Sequence, residues 1–278
     1  MLETLINTAL RRAARHYRSK PFAMQNSTPI VSFTFDDVPA SAYIHGAPVL
    51  DACGVRGTFY VASGTCGTMD DHWRVIERDQ VRALYNDEHE IGCHTFSHVA
   101  VDRLSGPDLE EECRRNEELM GNLCPGIQMT NFCYPFGRTS LPSKLRLERW
   151  FDSCRGIYEG VNSGTIDLAL LRVIELYDGT LTREKLVRVL RQARQRNGWV
   201  IFYTHDVTDA PSGIGCTPRL LRATIEAVQA EGMQCLPVRD ALKAIGYSRG
   251  VEAAPVAYRP RGERDAIKIR KIFGDSTR

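Results

Sequence analysis

The chain of 278 residues lacks the marks of several common roles. Thirty-six Lys and Arg against 34 Asp and Glu leave a formal net charge of +2. That balance gives no electrostatic case for nucleic acid, and none is expected as a partner. No apolar run approaches the ~20 residues that a membrane span needs. The first twenty residues, MLETLINTALRRAARHYRSK, have no unbroken apolar core of the roughly 7–15 residues that a secretory signal requires. The nine cysteines include no CxxC pair, which argues against a structural zinc site of the usual spacing. An odd count scattered over a chain of this size reads as reduced thiols. The expected location is therefore cytoplasmic. Internal repeats and low-complexity linkers are also missing.

What is present is an ordinary globular composition, 43% hydrophobic and 25% charged, in a chain long enough for a full core. Short β-branched or aromatic runs are predicted as strands at Ile30–Phe35, Arg56–Val61, Glu90–Cys93, Met129–Tyr134, Asp152–Ile157, Leu171–Leu176, Trp199–Thr204 and Met233–Pro237. Helical patterns lie between them. One runs from Pro107 to Leu123, one carries Leu186, Val189, Leu190 and Ala193 on a face, and one opens on Thr217-Pro218 as N-cap and first turn. Repeated strand–helix alternation predicts a parallel α/β architecture. A closed or nearly closed (β/α) barrel fits the length, with an open doubly wound sheet as the alternative. Either would put function at the C-terminal ends of the strands. The expected division is an N-terminal amphipathic helix (1–25), a catalytic domain (26–246) and a basic tail (247–278). In the first of these Leu2, Leu5, Ile6, Ala9, Leu10 and Ala13 form a stripe opposite Arg11, Arg12, Arg15, Arg18 and Lys20. Such a helix suits the domain's own surface, with peripheral contact to an anionic membrane as the alternative.

Four motifs carry chemistry, each at the end of a predicted strand. Asp36 and Asp37 are adjacent carboxylates, costly to hold together without a cation or proton between them. Successive residues at a strand end point apart, so one can bind a metal while its neighbour faces a water. His94 and His98 fall on one side of a turn, a spacing that suits two imidazoles on one divalent ion. Two imidazoles and a carboxylate make a three-ligand set with open positions, as hydrolytic sites need. His205 ends an apolar strand and suits a general acid for a leaving amine. Asn131–Gly137, through Tyr134, Pro135 and Phe136, forms a turn able to present a backbone N–H to an oxyanion.

In this order and spacing the motifs resemble the polysaccharide deacetylase family, the NodB homology domain, over roughly residues 30–245. Thr34-Phe-Asp-Asp37 is similar to the family's TFDD motif, His94-Thr-Phe-Ser-His98 to its H-[ST]-x-x-H motif, and Gly57-Thr-Phe-Tyr-Val61 to its second strand. The resemblance implies a distorted (β/α) barrel of about seven strands. It also implies Asp36 as general base, Asp37, His94 and His98 as ligands of a metal (usually Zn2+, with Co2+, Ni2+ or Mn2+ as alternatives), His205 as general acid, and the Phe136 N–H as oxyanion donor.

Several positions depart from the family pattern. Cys133 stands where the third motif has an arginine that holds the base, and a thiol cannot replace a guanidinium. Arg155 is the first candidate substitute and Arg172 the second. Val38 replaces the usual glycine after TFDD. Tyr203 replaces a leucine two before His205. The fourth motif, an Asp and a Trp around the acid, has Trp150 and Asp152 as its candidates, and Asp206 adjoins the acid. The expected function is hydrolysis of N-acetyl groups from an amino sugar or polysaccharide precursor, with Phe136, Tyr134 and Tyr203 near the acyl group. The alternatives are a deformylase or other amidase on a lipid-linked sugar, and a non-catalytic carbohydrate-binding homologue.

Overall fold

A computed structural model describes residues 2–249; residues 250–278 of the expected tail lie outside them. The strands are β1 (Pro21–Ala23), β2 (Ile30–Phe35), β3 (Thr58–Val61), β4 (Glu90–Cys93), β5 (Asn131–Cys133), β6 (Ser153–Glu159), β7 (Thr165–Asp167), β8 (Leu171–Glu175), β9 (Trp199–Thr204) and β10 (Gln234–Cys235). The helices are α1 (Leu2–His16), α2 (Ala47–Ala52), α3 (Arg78–Asn86), α4 (Gly106–Leu123), α5 (Leu141–Leu147), α6 (Arg183–Arg196), α7 (Pro218–Ala230) and α8 (Val238–Ala244). No helix among the described residues is long and apolar enough to cross a membrane.

Seven parallel strands close a barrel in the order β2-β3-β4-β5-β6-β8-β9, and β9 returns to pair with β2 from Ile30↔Trp199 to Phe35↔Thr204. This is the distorted (β/α) barrel of seven strands that the resemblance implies, and the doubly wound alternative is excluded. The distortion has a local cause. The start of β2 pairs with β10 (Ile30↔Gln234, Val31↔Cys235), and only its end pairs with β3 (Thr34↔Thr58, Phe35↔Phe59). An eighth strand is thus wedged into one side. Between β6 and β8 the register shifts by a bulge.

The two-residue period of the strands sorts the core into an outer and an inner set. Val31, Phe33, Phe35, Val200 and Phe202 pack with Leu50 of α2, Leu109 and Met120 of α4, Leu190 of α6 and Ile225 of α7. Ile30, Trp199, Ile201 and Tyr203 face inward with Val238, Ala241 and Leu242 of α8. Helix α8 closes the N-terminal end of the barrel. The Val238 N–H donates to Thr58 Oγ1 and the Arg239 N–H to Glu90 Oε2, at 2.9 Å each. The opposite, C-terminal end stays open for chemistry.

Helix α1 packs on the barrel's flank rather than standing free. Ala14 is fully buried, and buried Lys144 of α5 donates to the carbonyls of Ala14 and Tyr17 at 2.7 Å each and to Asp167 at 2.5 Å. Two of the arginines assigned to its polar face turn toward the protein. Arg11 pairs with Asp102 at 2.6 Å, and Arg15 lies 4.7 Å over the Tyr158 ring. All nine cysteines are unpaired thiols.

Candidate active site

Strand β2 ends at Phe35, and the Asp36 N–H still donates to Thr204 O at 3.0 Å, which extends the barrel by one residue. The chain then turns sharply, with Asp37 at φ 58° and Val38 at φ 46°. That left-handed corner is where the family pattern has glycine. A β-branched residue there is strained by about 1–3 kcal/mol, and its full burial holds it in place. The corner sends Asp36 into the barrel and Asp37 across its mouth.

At the end of β4, the His94 Nδ1–H donates to Cys133 O at 2.8 Å. This fixes the tautomer and leaves a lone pair on Nε2, which lies 3.1 Å from Asp37 Oδ1. His98 Nε2 approaches the same oxygen at 2.9 Å. Ligand atoms of the three residues all lie within 4.8 Å of one another. Asp37 Oδ1 is buried and accepts no hydrogen bond. Two nitrogens and an anionic oxygen converging without a proton between them is the donor set of a cation site. Neutral imidazoles satisfy it with a divalent ion, whereas two imidazolium rings with centroids 5.0 Å apart would repel. The residues therefore fit a metal.

Asp36 sits behind this set, 4% exposed. Arg155 Nη2 bonds its Oδ1, and the Cys133 thiol lies 3.6 Å from its Oδ2. Burial pushes the Cys133 thiol well up, so it is a neutral partner. The guanidinium of Arg155 is completely buried, with the rings of Tyr60 and Tyr203 at 4.9 and 5.2 Å. Cys133 and Arg155 are Cα partners in the β5–β6 pairing. The arginine missing from β5 is thus supplied at the same level from the next strand. Arg172 is not involved; its Nη1 donates to Glu159 O at 3.2 Å.

His205 stands at the end of β9. Its Nδ1 donates to Ile214 O at 3.1 Å, and its Nε2 is 4.0 Å from Asp37 Oδ2. Trp73, Tyr177 and Tyr203 surround the ring at centroid distances of 5.9, 6.1 and 6.1 Å. The fourth-motif candidates are corrected here. Trp150 and Asp152 precede β6 at the closed end, where Asp152 accepts from Lys20 and Tyr247. The tryptophan beside His205 is Trp73, missed because its loop carries no recognisable motif. Asp206 faces away and accepts from Ser212 N–H and Oγ at 2.8 and 2.6 Å, folding the loop that brings Ile214 O to His205.

The Asn131–Gly137 turn places Phe136 at φ 58°, 59% exposed, with its ring 4.4 Å from that of His98. The turn's own bonds run from Gly137 N–H to Tyr134 O and from Arg138 N–H to Pro135 O, and neither uses the Phe136 N–H. Tyr134 belongs to the core. It is 1% exposed and its hydroxyl donates to Ala169 O at 3.0 Å, so its side chain offers nothing to a substrate. Tyr203 contributes a buried wall, edge-on to Tyr177 at 5.2 Å.

Residues 23–149 match the family model described as polysaccharide deacetylase. That stretch, a little under half of the chain, is similar to the family. A chitin deacetylase of Arthroderma benhamiae is 28% identical over 109 residues, 38% of this chain and 27% of that protein. A chitin deacetylase of Colletotrichum lindemuthianum is 30% identical over 93 residues, 32% of this chain and 35% of that protein. The match thus spans about a third or less of these curated relatives. Among solved structures, the family 4 acetyl xylan esterase of Clostridium thermocellum, in complex with a cobalt ion, aligns with TM-score 0.58. It is 20% identical, over 83% of this chain and 96% of that one. At that identity the likeness is one of fold, and at 83% of this chain it extends past the family match.

Proposed function

We propose that the protein is a metal-dependent carbohydrate deacetylase that hydrolyses the N-acetyl group of an amino sugar in a polysaccharide or its precursor. The observation that carries this reading is the convergence of His94 Nε2 and His98 Nε2 on Asp37 Oδ1, with a second, arginine-held carboxylate beside it. The family match and the relatives named as chitin deacetylases support the substrate class. The unpaired thiols support a reducing compartment such as the cytoplasm.

Asp37 Oδ1, His94 Nε2 and His98 Nε2 would hold a divalent ion, with zinc first and cobalt, nickel or manganese as alternatives. When bound, the ion supplies Lewis-acid polarisation of the amide carbonyl and lowers the pKa of water. Asp36 takes the proton of the attacking water. Arg155 holds and aims Asp36 through its bond to Oδ1, the task the family gives to an arginine on the preceding strand. The Phe136 N–H donates to the oxyanion as the carbonyl carbon becomes tetrahedral. His205, its Nδ1–H fixed by Ile214 O, delivers a proton from Nε2 to the sugar nitrogen as the C–N bond breaks. The products are acetate and a free amino sugar.

The test is metal analysis of the purified protein, followed by acetate release from N-acetylated chitooligosaccharides and peptidoglycan fragments with added zinc, cobalt or nickel. A stoichiometric ion and acetate release abolished by chelator are expected. A protein that binds no divalent ion and releases no acetate would sink the proposal.

A further inference from the structure

The two histidines of the His94–His98 segment are held in different ways. His94 is fixed through its ring, by the bond from Nδ1 to Cys133 O. His98 lies beyond the strand, in a loop with two left-handed residues, Thr95 at φ 62° and His98 itself at φ 52°. Neither is glycine, so the conformation needs external support.

That support comes from one face of α4. Glu112 Oε2 accepts from the Phe96 N–H at 3.0 Å and the Ser97 N–H at 2.8 Å, and Oε1 accepts from Ser97 Oγ at 3.1 Å. Two consecutive N–H groups closing on one anionic oxygen form a charge-assisted clamp. Three and four residues on, along the same face, Arg115 stacks over the Phe96 ring at 3.9 Å, and Asn116 accepts from the Ser63 N–H at 2.8 Å. The loop after β3 completes the grip, where the Gly64 N–H donates to Phe96 O at 2.9 Å. A Cβ on Gly64 would lie 2.7 Å from that oxygen, so the close approach requires glycine.

We infer that Glu112 is a positioning residue for the metal site. By clamping the peptide N–H groups of Phe96 and Ser97 it holds His98 in its left-handed conformation, with Nε2 aimed at Asp37. The inference rests on the reading of Asp37, His94 and His98 as metal ligands. No motif marks Glu112, which lies on a helix whose buried face is mostly apolar. Its role is that of an outer-shell partner acting through the backbone of a ligand rather than through its ring.

The test measures zinc affinity of the metal-free full chain by chelator competition, together with the thermal midpoint of the same metal-free protein. The variants are Glu112→Ala, Glu112→Gln, and Glu117→Gln as an exposed control on the same helix. Loss of outer-shell partners of metal ligands typically weakens metal affinity about 10–100-fold. Glu112→Ala is expected in that range. Glu112→Gln, which keeps an acceptor but not the charge, should fall between it and the wild type, and Glu117→Gln should match the wild type. If Glu112→Ala does not fold, the isosteric Glu112→Gln and Ser97→Ala, which removes only the hydroxyl donor, carry the test. Zinc affinity within about threefold of wild type in Glu112→Ala, or in both Glu112→Gln and Ser97→Ala where the alanine does not fold, would overturn the inference, whatever happens to the thermal midpoint. In that outcome wild-type zinc binding would stand, and with it the deacetylase reading. A wild-type protein that binds no zinc would instead bring down both.

Discussion

Replacing Arg155 with methionine should be the most damaging single change in the barrel outside the metal ligands. The substitution preserves most of the stem volume but leaves Asp36 as a buried carboxylate with only a thiol beside it. Burial works against the arginine's charge, but the charge of Asp36 and its hydrogen bond outweigh it and hold the guanidinium protonated. The Arg155 side chain is 0% and that of Asp36 6% exposed, so solvent screening gives little relief. Removing one partner of such a pair costs about 3–5 kcal/mol, because the other is left buried and unpaired. At about 2–4 °C per kcal/mol for a domain of this size, the melting midpoint should fall by roughly 6–20 °C.

A double-mutant cycle separates this pairing from general damage. Asp36→Asn should also destabilise, since it strands the guanidinium. The double variant Asp36→Asn/Arg155→Met should lose less than the sum of the two, by more than about 1 kcal/mol. Thermal or urea denaturation reads the stabilities. If the two losses added within about 0.5 kcal/mol, the pair would not be coupled and the reasoning would fail. A third arm uses the register of Cys133 against Arg155. Exchanging them, Cys133→Arg with Arg155→Cys, returns a guanidinium to Asp36 from the neighbouring strand. It should recover stability and kcat relative to Arg155→Cys alone. Arg155→Met should lower kcat/KM by on the order of 10²–10⁴-fold, as for a misplaced general base.

Other outcomes follow from the same geometry. His98→Ala should lose both the bound ion and turnover, whereas Asp36→Asn, assayed below its lowered melting midpoint, should keep the ion and lose turnover; elemental analysis beside an acetate assay checks the split. His205→Gln should leave metal affinity intact and cut kcat on the order of 10²–10⁴-fold, with a smaller loss on an activated acetate ester whose leaving group needs no proton. His89 is buried and accepts the Gly57 N–H on Nδ1 at 3.0 Å; burial first, opposed by Asp51, brings its pKa down to about 4. Between that value and the ordinary 6.5 the unfolded chain binds the extra proton, so stability falls as pH falls through this window, by roughly 3.5 kcal/mol at about 1.4 kcal/mol per pH unit. His89→Asn should flatten that part of a urea-denaturation profile against pH, and an unchanged slope would refute it. Val38→Gly relieves about 1–3 kcal/mol of corner strain but loses about 1.5–3 kcal/mol of buried side chain and a further 0.5–1 kcal/mol of chain entropy. A net loss of about 1 kcal/mol by denaturation is expected.

The barrel strands were legible because each is a short β-branched or aromatic run whose alternate residues must face helices or the interior. β2, β4 and β9 lie where the pattern predicts them, and Thr217-Pro218 opens α7 as read. β1 and β7 were not legible. Three residues each, they gain their strand character from pairing with one another across the chain, Phe22 against Ile166, and are too short to display a period. The inward turn of Arg11 was equally hidden, since its partner Asp102 lies 91 positions away.

The same distinction runs through the site. Ligands of a divalent ion must be particular atoms at the end of particular strands, so the proposed ligands Asp37, His94 and His98 leave a spacing that sequence alone displays. Groups that orient those atoms need only the right charge or dipole in the right place, and any neighbouring element can deliver it. The guanidinium beside Asp36 comes from β6 where the family pattern has it on β5. The orienting acceptor for His205 is a main-chain carbonyl, Ile214 O, in place of a carboxylate, and the tryptophan at its side comes from the loop holding Trp73. A main-chain carbonyl fixes the tautomer without adding a charge, and no side-chain motif can reveal it. On the proposed function, the broken motifs in this chain report relocated supports rather than lost chemistry. The exchange of Cys133 and Arg155 tests that claim directly, because it asks whether Asp36 responds to the charge beside it or to the strand that carries it.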